Sequence, residues 1–255
     1  MKISGIGMTD IGRKRQLNED YYLCDNQQSI YLVADGMGGV AGGELASKMA
    51  VDTFVSKIHP FLQDDDVTLP FELKANNGYI PTLMKYAIEE ANASVYQYGL
   101  NDPSMRGMGT TFTAVIPYEG KLYVCHIGDT RLYRIRGREI AQLSEDHTLV
   151  QQLVKEGHIT PQEARRHPKK NVITRSLGPK PKIKIDIFSE PLISGDIYLL
   201  CSDGLYGMVE EEDFTNTLLA LEGNNLEDIG KKLIDLANEG GGKDNITLVL
   251  FRIDE

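Results

Sequence analysis

Four aspartates recur in this chain beside short apolar runs, each close to Gly or Asn. Asp35 closes SIYLVAD before Gly36, Asp203 closes IYLLCSD before Gly204, Asp129 follows LYVCHIG ahead of Thr130 and Arg131, and Asp244 precedes the run in DNITLVLF. A carboxylate at the margin of an apolar core is destabilised unless it is hydrogen-bonded or neutralised, and several converging carboxylates repel one another unless cations lie between them. Oxygen donors with no His or Cys partner suit hard ions such as Mg or Mn rather than zinc. Gly36 adds a backbone position with no side chain, where an ion or a phosphate can approach closely. Asp-Gly is also an ordinary turn dipeptide, so any one of these places alone is weak. Their repetition at the ends of four strand-like runs is what points to a cation site.

A second group lies in TDIGRKRQLNED, where Arg13 and Arg15 precede Asn18, Glu19 and Asp20. A guanidinium can donate two parallel hydrogen bonds to phosphate oxygens, and Glu19 or Asp20 could hold water beside an ion. A solvated charge cluster is the plainer reading of this segment.

The elements that must position these groups are mixed. Ser29–Ala34, Leu122–His126, Leu132–Arg136 and Ile197–Cys201 have the β-branched and aromatic bias of strands. Apolar residues at three- and four-residue spacing predict helices over Glu44–Leu62, Pro81–Tyr98 and Leu226–Ala237. Strands, two long helices, hairpin-like strands and then helices again do not make the regular alternation of a parallel βαβ sheet, so antiparallel sheets covered by helices are expected. The polar stretch at about 63–80 reads as a loop or insertion, and 145–184 carries the helical run HTLVQQLVKEG, a Thr160-Pro161 helix start and the basic segment RRHPKKNVITR.

Composition narrows the field. Lys and Arg number 27 against 37 Asp and Glu, a net charge of -10, which argues against a nucleic-acid or anionic-membrane partner. No apolar run is long enough to span a bilayer and the first residues lack a signal-peptide core, so a soluble, cytoplasmic protein is expected. The three cysteines, Cys24, Cys125 and Cys201, show no CxxC spacing and read as buried thiols.

In TDIGRKRQLNED, VADGMGGVAGGELAS, GMGTTFTAV, HIGDTRLYRIR, LSEDHTLVQQLV, HPKKNVITRSLG, LLCSDGLYGMV and GGKDNIT, in that order, the chain resembles the metal-dependent protein phosphatases of type 2C in their compact bacterial form. The resemblance implies one domain over 1–255, an α+β four-layer αββα sandwich of two antiparallel sheets flanked by helices, with a flap at about 147–178. It implies two catalytic Mn or Mg ions bridged by Asp35, with the Gly36 backbone, Asp203 and Asp244 as further ligands and Asp20 acting mainly through water. Asp129 would join Asp203 at a third, weaker ion, and Arg15 would hold the substrate phosphate. The activity implied is direct hydrolysis of phosphoserine and phosphothreonine by cation-activated water, without a phosphoenzyme, in phosphorylated proteins supplied by a serine/threonine kinase, by a monomer. Where many eukaryotic members carry a histidine after the DG pair, this chain has Met37, so that position cannot supply the general acid.

Three other readings compete. Cys125 and Arg131 in CHIGDTR share the spacing of the cysteine phosphatase loop, although LYRIR after it reads as a strand rather than the helix such a loop needs. A catalytically inactive, phosphoprotein-binding relative would be expected to lack ligand aspartates, yet every matched position keeps its acid. A glycine-rich nucleotide binder would need a Walker lysine after GMGGVAGG, and none is present.

Overall fold

The computed structural model describes residues 2–63, 78–220 and 225–254. Its elements run β1 (Ile3–Asp10), β2 (Asp20–Asp25), β3 (Ile30–Met37), α1 (Gly39–Gln63), α2 (Tyr79–Asn101), β4 (Gly109–Thr110), β5 (Phe112–Tyr118), β6 (Lys121–Ile127), β7 (Arg131–Arg136) and β8 (Glu139–Gln142). They continue with α3 (Leu149–Lys155), α4 (Pro161–Arg166), β9 (Asp186–Pro191), β10 (Ile197–Cys201), α5 (Asp203–Tyr206), α6 (Glu211–Leu219), α7 (Leu226–Glu239) and β11 (Ile246–Ile253).

Two antiparallel sheets form the centre, one in the order β1-β11-β10-β7-β8 and the other β2-β3-β5-β6-β9, with β4 paired to β3. Alternation along the strands explains the stacking of layers, because successive side chains point to opposite faces. In β3, Ile30, Leu32 and Ala34 pack with α1 and α2, while Tyr31 and Val33 face the other sheet. In β11, Ile246, Leu248 and Leu250 pack with α6 and α7, while Val249, Phe251 and Ile253 face inward. Both faces of the inner strands are therefore buried, which is why their sequences read as continuous apolar runs rather than alternating ones. Tyr31, Phe251 and Tyr198 stack at the centre, with ring centroids 4.3 and 5.0 Å apart. The expected sandwich of two antiparallel sheets flanked by helices is the architecture observed.

Several boundaries differ from the sequence expectation. α2 begins at Tyr79 rather than Pro81, since a proline is tolerated in the first turn, where its missing N–H has no helical partner. Gln63, Tyr79 and Ile80 thus belong to helices, Gly78 is the N-cap of α2, and the rest of the polar stretch expected at 63–80, residues 64–77, lies outside the described residues. Asp35 does not end its strand, because β4 continues the pairing through Gly36 and Met37. Cys125 and Cys201 are buried, but Cys24 is only half-buried.

The expected helical run and the Thr160-Pro161 helix start form α3 and α4, and Thr160 closes a reciprocal capping box with Glu163 at the start of α4. Among the described residues no helix is long and apolar enough to cross a membrane.

Candidate functional site

The two sheets bring the expected acids together. Asp35 sits in β3 directly across from Asp20 in β2. Asp203 is the first residue of α5, separated from β10 by Ser202, and Asp129 and Asp244 occupy the turns that follow β6 and precede β11. Arg15, Asp35, Gly36, Asp129, Asp203 and Asp244 line one cavity of about 450 Å³. Asp20 is not among the residues lining this cavity; it is 7 % exposed and accepts a hydrogen bond from the Ser202 hydroxyl at 2.8 Å.

Backbone and neutral side chains fix these carboxylates from behind. The Asp35 amide donates to Thr111 Oγ1 at 3.0 Å, and its carbonyl accepts from the Thr111 amide at 2.9 Å. Gly36 is pressed so closely under Gly43 and Glu19 that an added Cβ would lie 2.1 Å from the Gly43 carbonyl oxygen, so no other residue fits there. Asp129 is held by its carbonyl, which accepts from the Tyr206 hydroxyl at 3.0 Å.

Burial and mutual repulsion show in the acidities. Desolvation, followed by the charges of Asp20, Asp203, Asp129 and Asp244, holds the Asp35 carboxyl well above the ordinary range. Desolvation and then Asp203 raise Asp129 to about 8, while desolvation raises Asp20 to about 7 against the hydrogen bonds of Thr247 and Ser202. Asp203 is raised to about 6 by desolvation and by Asp244. A cation in place of those protons would relieve the repulsion.

The donor set is chemically consistent with hard ions. The cavity offers carboxylate and carbonyl oxygens, and among the described residues no histidine or cysteine lines it. Among the described residues no three His, Cys, Asp or Glu side chains are already gathered into an ion-holding group. Mg-type ions use few carboxylates and keep several waters, so a looser set of oxygens suffices for them.

Arg15 stands half-exposed at the cavity, its Nη2 2.7 Å from Asp244 Oδ2 and its Nη1 3.6 Å from Glu19 Oε2. The Arg15–Glu19 spacing was legible in the sequence, whereas the bond to Asp244, 229 residues away, was not. Arg13 is tied by its amide to the Gly242 carbonyl and is outside the cavity lining.

The cysteine phosphatase reading does not survive. Cys125 lies inside β6, fully buried among residues packed on α1 and α2, and burial pushes its thiol far above its ordinary range. Arg131 is bonded through Nε and Nη2 to Asp146 and stacked 3.6 Å over the Tyr206 ring, so it faces no anion cradle.

With this geometry in view, sequence comparison is decisive: the model of the family described as Protein phosphatase 2C matches residues 12–236. The chain belongs to that family. It is 38% identical over 252 residues to protein phosphatase PhpP of Streptococcus pneumoniae, covering 97% of this chain and 96% of that protein. The crystal structure of the Mycobacterium tuberculosis serine/threonine phosphatase PstP/Ppp superposes with a TM-score of 0.86 at 33% identity, covering 99% of each chain. A structure of the PstP catalytic domain in complex with two manganese ions superposes at 0.82, with 33% identity and 99% coverage of each chain.

For this protein phosphatase 2C chain, Asn245 is a site residue that the sequence reading missed. Its side chain accepts from the Glu19 amide at 2.9 Å and donates to the Ile11 and Leu17 carbonyls at 3.0 and 2.9 Å, holding the β1–β2 loop that carries Arg15. No local spacing signals partners so distant. Asn245→Ala leaves three backbone groups without this partner and is expected to cost about 1–3 kcal/mol. Urea unfolding gives the loss, and faster hydrogen exchange over residues 12–19 locates it.

Proposed function

We propose that this chain is a protein serine/threonine phosphatase that hydrolyses phosphoserine and phosphothreonine in phosphorylated proteins, with divalent Mn or Mg ions held between its aspartates. The observation that carries the reading is the convergence of acids from both sheets on one cavity with Arg15 beside it. The activity named for PhpP and the two manganese ions of PstP support it.

In this reading Asp35, the Gly36 backbone, Asp203 and Asp244 would hold two cations, Asp20 would act mainly through water, and Asp129 with Asp203 would offer a weaker third place. When bound, the ions acidify water for attack on phosphorus and neutralise the charge of the phosphoryl group. Arg15 lets go of Asp244 Oδ2 and turns two N–H groups to phosphate oxygens, which fixes the phosphoryl group for in-line displacement. Met37, at the cavity edge, carries no proton to give, so the serine or threonine oxygen takes its proton from water or from another group at the cavity. A larger space of about 1020 Å³, bounded by Thr148, Asn171, Phe214 and Asp203, adjoins this cavity and gives room for polypeptide flanking the phosphorylated residue.

We read 1–255 as one catalytic domain, because both sheets supply the acids, with 147–178 as its flap. Cytoplasmic residence agrees with three unpaired cysteines, and a serine/threonine kinase would supply the substrates.

The test is phosphate release from a phosphothreonine peptide by wild type and Cys125→Ala in the presence of Mn. Equal rates are expected. Loss of turnover in a folded Cys125→Ala protein would return the cysteine mechanism, and no turnover by either would favour an inactive phosphoprotein-binding relative.

A further inference from the structure

His147 opens the 147–178 segment and is almost wholly enclosed, 4 % exposed, with its ring against that of His126 at 4.8 Å. Its contacts run in two directions. Toward the acids, the His147 amide donates to the Gly128 carbonyl at 2.7 Å, and the Gly128 amide donates back to His147 Nδ1 at 3.1 Å. Gly128 has φ +112, and an added Cβ there would lie 2.4 Å from the Thr111 side chain, so the turn has one available shape. The next residue is Asp129.

In the other direction His147 gathers the end of the flap. Its carbonyl accepts from the Thr174 amide at 2.8 Å and from Thr174 Oγ1 at 3.0 Å. Because Nδ1 accepts, the ring proton sits on Nε2, which donates to Asp186 Oδ2 in β9 at 2.9 Å. Arg175 bonds to Asp186 Oδ1 at 3.2 Å and lies 3.0 Å from Nε2. Burial, with Arg175 beside the ring, lowers the His147 pKa below its ordinary value and keeps the Nδ1 lone pair free.

We propose that His147 is a positioning residue: through Nδ1 it holds the Gly128 amide, and so sets Asp129 in place for a divalent cation while joining both ends of the flap. The inference rests on the reading of Asp129 as a cation ligand. It assigns His147 no proton transfer and no contact with substrate.

The two ring nitrogens can be separated by substitution. In His147→Asn the side-chain oxygen takes the place of Nδ1 and the contact with Asp186 is lost. In His147→Gln the side-chain amide takes the place of Nε2 and the acceptor for Gly128 is lost. Binding of Mn to the full chain is followed by titration calorimetry, with Asp129→Asn as reference. A partner that orients a ligand typically contributes about 10–100-fold to metal affinity. His147→Gln should therefore weaken the Asp129-dependent step by at least about 10-fold, with His147→Asn close to wild type. Equal losses in the two variants, or an unchanged isotherm in His147→Gln, would overturn the proposal. An isotherm unaffected by Asp129→Asn would overturn the ligand reading and the proposal with it.

Wild-type protein supplies a measurement that does not depend on the variants folding. On titration with Mg, the Gly128 amide resonance and the His147 Nδ1 resonance should move together at the Asp129-dependent step. A Gly128 shift with His147 Nδ1 unmoved would count against the coupling.

Discussion

Asp35→Asn is expected to lower kcat/KM on a phosphothreonine peptide by at least about 10³-fold while making the metal-free protein more stable. The two effects have one origin. Asp35 lies among Asp20, Asp129, Asp203 and Asp244, and burial and their charges oppose its ionisation. An amide of the same shape removes that opposition, so the thermal midpoint of the stripped protein rises. It also removes a negative ligand from the place where cations would be held. Cations contribute several kcal/mol to stabilising charge in such reactions, and each 1.36 kcal/mol is tenfold in rate. Steady-state kinetics and differential scanning calorimetry check both halves. Near-normal turnover in the folded variant would remove Asp35 from the chemistry, and a lower midpoint would contradict the electrostatic account.

Stripping divalent cations should reduce phosphate release to background, with recovery on adding Mn or Mg, and should leave a protein whose stability falls as pH rises. The direction follows from the folded-state acidities. Asp203, Asp20 and Asp129 are raised to about 6, 7 and 8 from 3.8. Folded protein therefore binds these protons more tightly than the unfolded chain does. The resulting stability is fully present below about pH 4 and is lost as pH rises through about 6 to 8. Each proton contributes a slope of up to about 1.4 kcal/mol per pH unit. Cations replace the protons, so Mn should remove most of the slope. Thermal unfolding between about pH 5 and 8.5, with and without Mn, measures it. A metal-free midpoint that is flat or rises with pH would rule out this account, and turnover that resists chelation would rule out the proposed chemistry.

The sequence disclosed the local features and hid the distant ones, for identifiable reasons. Strands such as IYLLC were visible because burial on both faces demands unbroken apolar residues. The start of α4 was visible because Thr160 and Pro161 stand side by side at a helix N-terminus, whereas the closing of the cap by Glu163 was not read. Pairing of β1 with β11, by contrast, joins Ile3 to Ile253, and no periodicity within either segment encodes that choice. The same holds at the site. Each aspartate could be picked out by its place beside an apolar run, but the bond from Arg15 to Asp244 and the three bonds of Asn245 exist only once the sheets are formed. The CHIGDTR spacing is a coincidence for a related reason: spacing says nothing about which way a side chain points, and Cys125 points into the layer packed on the helices, as its apolar run suggested.

The attachment of the Arg15 loop to Asp244 and Asn245 has a consequence for protein synthesis. Residues 12–19 leave the ribosome early, but their anchor is made more than 200 residues later, and β1 waits for β11 as its sheet neighbour. A nascent chain therefore carries Arg15 without the geometry to use it. The loop takes its working shape only once residues 244–253 have emerged and folded back onto it.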